Sequence, residues 1–148
     1  MNYEEIFSQF YLKITDPSLF KLTKEDAYEK MKGWLHSTAS ESHVRSKFST
    51  LTLNDDIEEL TFTLINPIDE SSDKDFVKEV FAQGMVICWM RKQIEKNVNT
   101  AAVIGGKEEK VLLNNYQPNI ERADSLEIKL KKFIRNYGYL NNNLGKSK

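Results

Sequence analysis

The most constraining stretch of the chain runs over 72–101. Ser72 followed by Asp75 makes a helix-start pair, and Phe76, Val80, Gly84, Ile87, Ile94 and Val98 then recur at helical spacing, which predicts one long central helix. Within it, residues 85–90 (Met-Val-Ile-Cys-Trp-Met) are apolar right round the helix, so this turn and a half is expected to be enclosed on all sides. Full burial is worth ~1.5–3 kcal/mol for each side chain of this size, so other helices or a partner must close over it.

The remaining elements follow from capping pairs and periodicity. Asn2 with Glu5, then Ile6, Phe7 and Phe10, predicts a first helix over about 3–13, and Asp16-Pro17 turns the chain after it. Thr23 with Asp26 starts a second helix over about 24–42, whose stripe is Ala27, Met31, Trp34 and Leu35, with Val44 and Phe48 beyond. Gly33 beside Trp34 weakens that helix by ~1 kcal/mol relative to alanine, which suits a position where something packs closely. Over about 48–65 the period changes. Leu51, Leu53, Leu60, Phe62 and Leu64 alternate with polar residues around Asn54-Asp55-Asp56, the pattern of a β-hairpin.

Two strands alone are marginal in water, so the hairpin either lies on the helices or joins strands from another copy. After Gly105-Gly106, the charged residues 107–110 and the apolar 111–113 read as a loop with one short extended segment. Pro118 then precedes a last helix over about 119–137, with Ala123, Leu126, Leu130, Phe133, Ile134 and Tyr137 at helical spacing. Gly138 ends it, and 138–148 reads as a polar tail. The fold class expected is mainly α: one domain over 1–148, a bundle of about four helices with a β-hairpin inserted between the second and third.

Composition excludes several function classes. No apolar run approaches the ~18 residues of a membrane span, and the acidic start Met-Asn-Tyr-Glu-Glu does not read as a signal peptide, so the mature chain is expected to begin at Met1. A single cysteine, Cys88, sits in the apolar turn, where it reads as a core thiol suited to a reducing compartment rather than a nucleophile. His36 and His43 lack the spacing of a zinc site. The acids Asp55, Asp56, Glu58 and Glu59 lack the alternation of a calcium loop, and Gly145-Lys146-Ser147 lacks the spacing of a phosphate loop. No catalytic residue, cofactor or metal is therefore expected.

The net charge of −1 conceals a division along the chain. Residues 1–75 hold 8 Lys/Arg against 15 Asp/Glu, a balance of −7, while 119–148 hold 7 against 3, a balance of +4. Such segregation allows one copy's end to lie against another's front half. Lys129, Lys131, Lys132 and Arg135 make the last helix basic, with Tyr137 and Tyr139 beside them, and a basic helix can neutralise phosphates.

The run Lys110-Val-Leu-Leu-Asn-Asn-Tyr-Gln-Pro-Asn119 and the helix end Phe133-Ile-Arg-Asn-Tyr-Gly-Tyr139 resemble the close of a head-tail connector (adaptor) protein of tailed bacteriophages. Tyr3-Glu-Glu-Ile-Phe, Phe10-Tyr-Leu-Lys-Ile-Thr-Asp-Pro and Leu22-Thr-Lys-Glu-Asp resemble that family's opening, and Trp89-Met-Arg-Lys92 its long third helix. Residues 50–65 depart from it, being more strand-like than the family's polar segment. The resemblance implies a non-enzymatic virion structural protein of the neck, assembled in the host cytoplasm. Its copies would form a dodecameric ring that binds the portal protein and the next connector or tail-completion protein, and lines the channel through which DNA passes.

Isolated subunits would be monomeric, and the contact segments would order in the ring. The residues expected at the assembly interface are Leu60, Phe62 and Leu64 of the hairpin, and Lys129, Lys132, Arg135, Tyr137 and Tyr139 of the last helix and its end. The alternative is a small nucleic-acid-binding or regulatory protein acting through the basic last helix.

Overall fold

The computed structural model describes residues 1–14, 22–104 and 106–139. Among these the chain is mainly helical, with one two-stranded antiparallel sheet placed before the central helix. In order, α1 spans Tyr3–Tyr11, α2 Lys24–Ser40, α3 Ser42–Arg45, β1 Phe48–Asn54, β2 Glu59–Leu64, α4 Glu70–Ile104 and α5 Gly106–Asn136. The Asp16-Pro17 turn and residues 140–148 of the expected tail lie outside the described residues.

Each early element buries the stripe its spacing implies. Tyr3, Ile6, Phe7 and Phe10 of α1, Ala27, Met31 and Leu35 of α2, and Val44 of α3 are all buried. The expected second helix is in fact two: Glu41 takes an extended conformation, ψ 132°, and ends α2 before the single turn of α3. Gly33 meets nothing at its Cβ position, so the close packing anticipated there is absent. It lies instead at Gly84, where a Cβ would fall 2.2 Å from Thr38 Cγ2 and 2.7 Å from its Oγ1. Because Gly33 stands open in a helix interior, Gly33→Ala should stabilise the protein by ~1 kcal/mol, read as a raised urea midpoint at unchanged slope.

The hairpin packs on its own helices. Phe48 pairs with Leu64, Leu51 with Phe62 and Leu53 with Leu60, with a register shift between Phe48 and Thr50, so the apolar side chains share one face and Thr50, Thr52, Thr61 and Thr63 the other. The Phe48 ring lies 6.2 Å from that of Phe81 on α4, and Leu60 and Leu64 are buried. The chain start adds a further bridge: Met1 N donates to Leu60 O at 2.9 Å and Leu60 N to Met1 O at 2.8 Å, so the outer edge of β2 is covered there.

Helix α4 begins earlier than its Ser72-Asp75 pair suggests. Asp69 is the capping residue: one carboxylate oxygen accepts from Ser72 N at 2.7 Å and the other from Ser72 Oγ at 3.0 Å. The expected loop after residue 101 is also corrected. Helix runs to Ile104 and resumes at Gly106, whose φ of 68° suits glycine at a chain reversal. The reason is local, since the Lys, Glu and Leu of 107–113 are good helix formers and only Gly105-Gly106 breaks the pattern. Pro118 stands inside α5 rather than before it. A proline there forfeits a backbone bond, at a cost of ~3 kcal/mol, and this one is exposed, where water can take its place.

Helices α4 and α5 are antiparallel neighbours: Phe76 meets Phe133 and Tyr137 at one end, and Arg91 meets Asp124 and Glu127 further along. The enclosed stretch is displaced from its expected place. Phe76, Val77, Val80, Phe81, Ala82, Met85 and Val86 are buried, as are Met90 and Ile94, but Ile87, Cys88 and Trp89 are only half-buried. Helices α1 and α2 and the hairpin therefore cover the first half of α4 and leave part of its middle open.

Candidate assembly surface

Two regions of the surface carry features beyond packing. The first is a groove of about 550 Å³ between α4, α5 and the segment after α1, lined by Lys13, Gln83, Val86, Ile87, Arg122, Leu126, Lys129 and Phe133. Its floor is apolar, and Phe133, expected in the core, is 38% exposed there, its ring 5.2 Å from that of Phe76 and tilted by 39°. Three cations stand around it. Lys13 is neutralised by Glu79, which also accepts from Gln9 Nε2 at 3.0 Å and Gln83 Nε2 at 2.8 Å. Arg122 and Lys129 are exposed and have no ion-pair partner among the described residues.

The second is the turn between β1 and β2. Asp55 Oδ1 accepts from Tyr3 Oη at 2.7 Å and lies 2.9 Å from His36 Nε2, and Lys32 Nζ lies 3.3 Å from Glu58 Oε1. These bonds from Tyr3 and His36 hold the Asp55 carboxyl below its usual range, while burial and then the Asp55 carboxylate push the Tyr3 phenol up. Beyond them Ile57 is 61% exposed. Among the described residues no group of three or more His, Cys, Asp or Glu side chains is placed to hold a metal ion, and no helix is long and apolar enough to cross a membrane.

The residues expected at an interface separate into three groups. Leu60 and Leu64 are buried within this chain and offer a partner no surface, because the apolar hairpin face is the one that lies on the helices; Phe62 is half-buried beside Phe48. Tyr137 is likewise engaged at home. Its ring stacks on Phe76 at 3.9 Å, its hydroxyl donates to Asp73 Oδ1 at 2.6 Å, and its carbonyl accepts from Lys47 Nζ. Lys129, Lys132, Arg135 and Tyr139 remain exposed.

Sequence reasoning missed this clasp around Tyr137. Asp73 also accepts from Ile68 N at 2.9 Å, and Gly138, at φ 72°, brings its backbone against Asn66 O. Three segments distant in the chain, around residues 47, 66–76 and 137–138, meet there, which no local pattern reports. The groove, by contrast, left a trace: Arg122, Leu126, Lys129 and Phe133 fall four, three and four residues apart, one stripe of a helix in which cations and apolar residues alternate.

Comparison of the chain with protein-family models, with curated proteins and with solved structures returns no match. The functional reading therefore stands on the residues themselves.

Three partly buried networks make the stability of the fold depend on pH. Burial alone would raise the Glu79 carboxyl, but hydrogen bonds from Lys13, Gln83 and Gln9 outweigh it and hold it below the usual 4.5. A carboxyl lowered in the folded state contributes stability that is present above 4.5 and lost as pH falls through its folded value. Tyr3 and Tyr137 act at the other limit: both phenols are held above the usual 10.0, so their contribution is present below pH 10 and lost above it. Urea titrations should show stability falling below pH 4.5 and above pH 10, and Glu79→Gln should flatten the acid limb. An unchanged acid limb in that variant would remove Glu79 from the account.

Proposed function

We propose that the protein is a head-tail connector of a tailed bacteriophage, a non-enzymatic neck component whose copies form a ring between the portal and the next connector or tail-completion protein. The observation that carries this reading is the resemblance of the opening, central and closing segments, Tyr3-Glu-Glu-Ile-Phe, Trp89-Met-Arg-Lys92 and Phe133-Ile-Arg-Asn-Tyr-Gly-Tyr139, to that family. The architecture is compatible with it, being a small helical body that leaves an apolar, cation-rimmed groove open to a partner. Sedimentation of the purified protein with portal rings tests the reading. Comigration with the rings supports it, and failure to bind the portal of any candidate phage rejects it.

A second reading has its own support. Lys129, Lys132 and Arg135 are exposed along α5 without ion-pair partners among the described residues, so the helix offers phosphate contacts to a nucleic acid. Salt distinguishes the two. Binding through phosphates falls steeply, as a power of salt concentration, whereas a contact with an apolar floor declines only modestly.

A further inference from the structure

The turn between β1 and β2 holds an apolar side chain where a solvated loop has no use for one. Ile57 stands bare between Asp56 and Glu58, with Asp55 and Glu59 on either side. Its mounting is rigid. Glu58 adopts φ 52°, a region unfavourable to residues with a Cβ, and is held there by Tyr3 N donating to its carbonyl at 2.9 Å and by Lys32 at its carboxylate. Asp55 is fixed by Tyr3 and His36, and Leu60 by Met1. The tip, Ile57 with Asp56, is therefore presented in one conformation before any partner arrives, which lowers the entropic cost of binding.

The groove is complementary to this tip. Its floor of Val86, Ile87, Leu126 and Phe133 has room for an isoleucine side chain, and Arg122 and Lys129 at its rim lack partners, as Asp56 and Glu59 of the turn do among the described residues. The two surfaces lie apart in one molecule, because α1 begins beside Glu58 and Leu60 and the segment after it brings Lys13 to the groove, roughly 15 Å away. A copy cannot fill its own groove with its own turn.

We infer that the groove of one copy receives the turn of the next, Ile57 entering between Ile87, Leu126 and Phe133 while Asp56 and Glu59 meet Arg122 and Lys129. Each copy offers one turn and one groove, so the contact is head-to-tail and propagates until it closes into a ring. The inference deepens the connector reading and rests on it for that closure. One turn in one groove buries less surface than a stable dimer needs, so copies associate weakly until a portal gathers them.

The test uses the full chain in sedimentation velocity from about 10 μM to about 1 mM, the range in which so small a contact is read. Two variants are compared, Ile57→Asp and the double variant Arg122→Glu/Lys129→Glu, whose altered side chains are exposed or at the groove rim; thermal unfolding checks that each is folded. The unaltered protein should associate with rising concentration and only modestly less in ~0.5 M salt, because the apolar floor carries the contact. Each variant alone should bind itself at least ~10-fold more weakly. Mixed together, they should form a one-to-one dimer and nothing larger, since the first keeps a working groove and the second a working turn.

Unaltered protein that stays monomeric throughout overturns the inference, as do variants that associate like the parent or a mixture that does not pair. Portal binding without self-association removes this contact and leaves the connector reading intact. Self-association without portal binding does the reverse.

Discussion

Replacing Gly84 by valine should destabilise the protein by ~3 kcal/mol or more, and replacing it by alanine by ~1–3 kcal/mol. The new Cβ would fall 2.2 Å from Thr38 Cγ2, a distance no real pair of carbons tolerates, so α2 and α4 must separate or Thr38 must move. Thr38 has little freedom: its side chain is β-branched and buried, and its Oγ1 donates to Trp34 O at 2.9 Å. Separation of the helices would also loosen the common core in which Met31, Leu35, Phe81 and Met85 are buried. Urea unfolding monitored by circular dichroism measures the loss. Thr38→Ala in the Gly84→Ala background should recover most of it, because the two changes meet at one point and cannot be additive. A Gly84→Ala midpoint equal to the parent's would show that the crossing is looser than these distances require.

Tyr137→Ala should cost ~3 kcal/mol and Tyr137→Phe ~1–2 kcal/mol. The alanine variant removes the ring stacked on Phe76 at 3.9 Å, while both remove the hydroxyl that donates to Asp73. Asp73 is buried, and the phenylalanine variant leaves it with the Ile68 N–H at 2.9 Å and one partner fewer, the more expensive way to lose a hydrogen bond. The measurement has a functional consequence. If Tyr137 served a partner and not its own fold, these variants would bind portal rings less well at undiminished stability. The geometry predicts the opposite order, with stability lost first and any binding defect following from it. Tyr139→Ala is the control, since that side chain is 61% exposed and its loss should leave the unfolding midpoint within ~0.5 kcal/mol of the parent.

Both sites show why an interface is harder to read from a chain than a helix is. Leu60, Phe62 and Leu64 alternate as a half-buried strand should, and they do form one; alternation says that one face is covered without saying by what. The answer here is the same molecule, where Leu60 and Leu64 are buried in the common core and Phe48 of the paired strand meets Phe81 of α4. Gly33 and Gly84 make the same point. A glycine in a helical pattern signals either a tolerated defect or a close crossing, and only the neighbour's position, Thr38 at Gly84 and nothing at Gly33, distinguishes them.

The candidate groove was legible in part. Its α5 lining lies on one helical stripe, but the α4 lining and Lys13 come from segments about 40 and 110 residues away, and no periodicity joins them. Pro118 misled for a related reason. Proline biases the residue before it away from helix, yet a helix held against a long partner can carry one on its exposed side.

By itself the amino-acid order determined the helical class, the stripes that α1, α2 and α5 bury, the hairpin and its register face, and the opposite charges of the chain's two ends. These depend on neighbours within a few residues, where backbone geometry sets which side chains share a face. Tertiary structure alone decided that Tyr137 and Leu60 face inward, that Glu79 gathers Lys13, Gln9 and Gln83, and that Ile57 and the Arg122–Lys129 groove are left without partners among the described residues. Which apolar and charged groups remain unmatched depends on how much surface the other helices happen to cover, and that is a property of the packed whole.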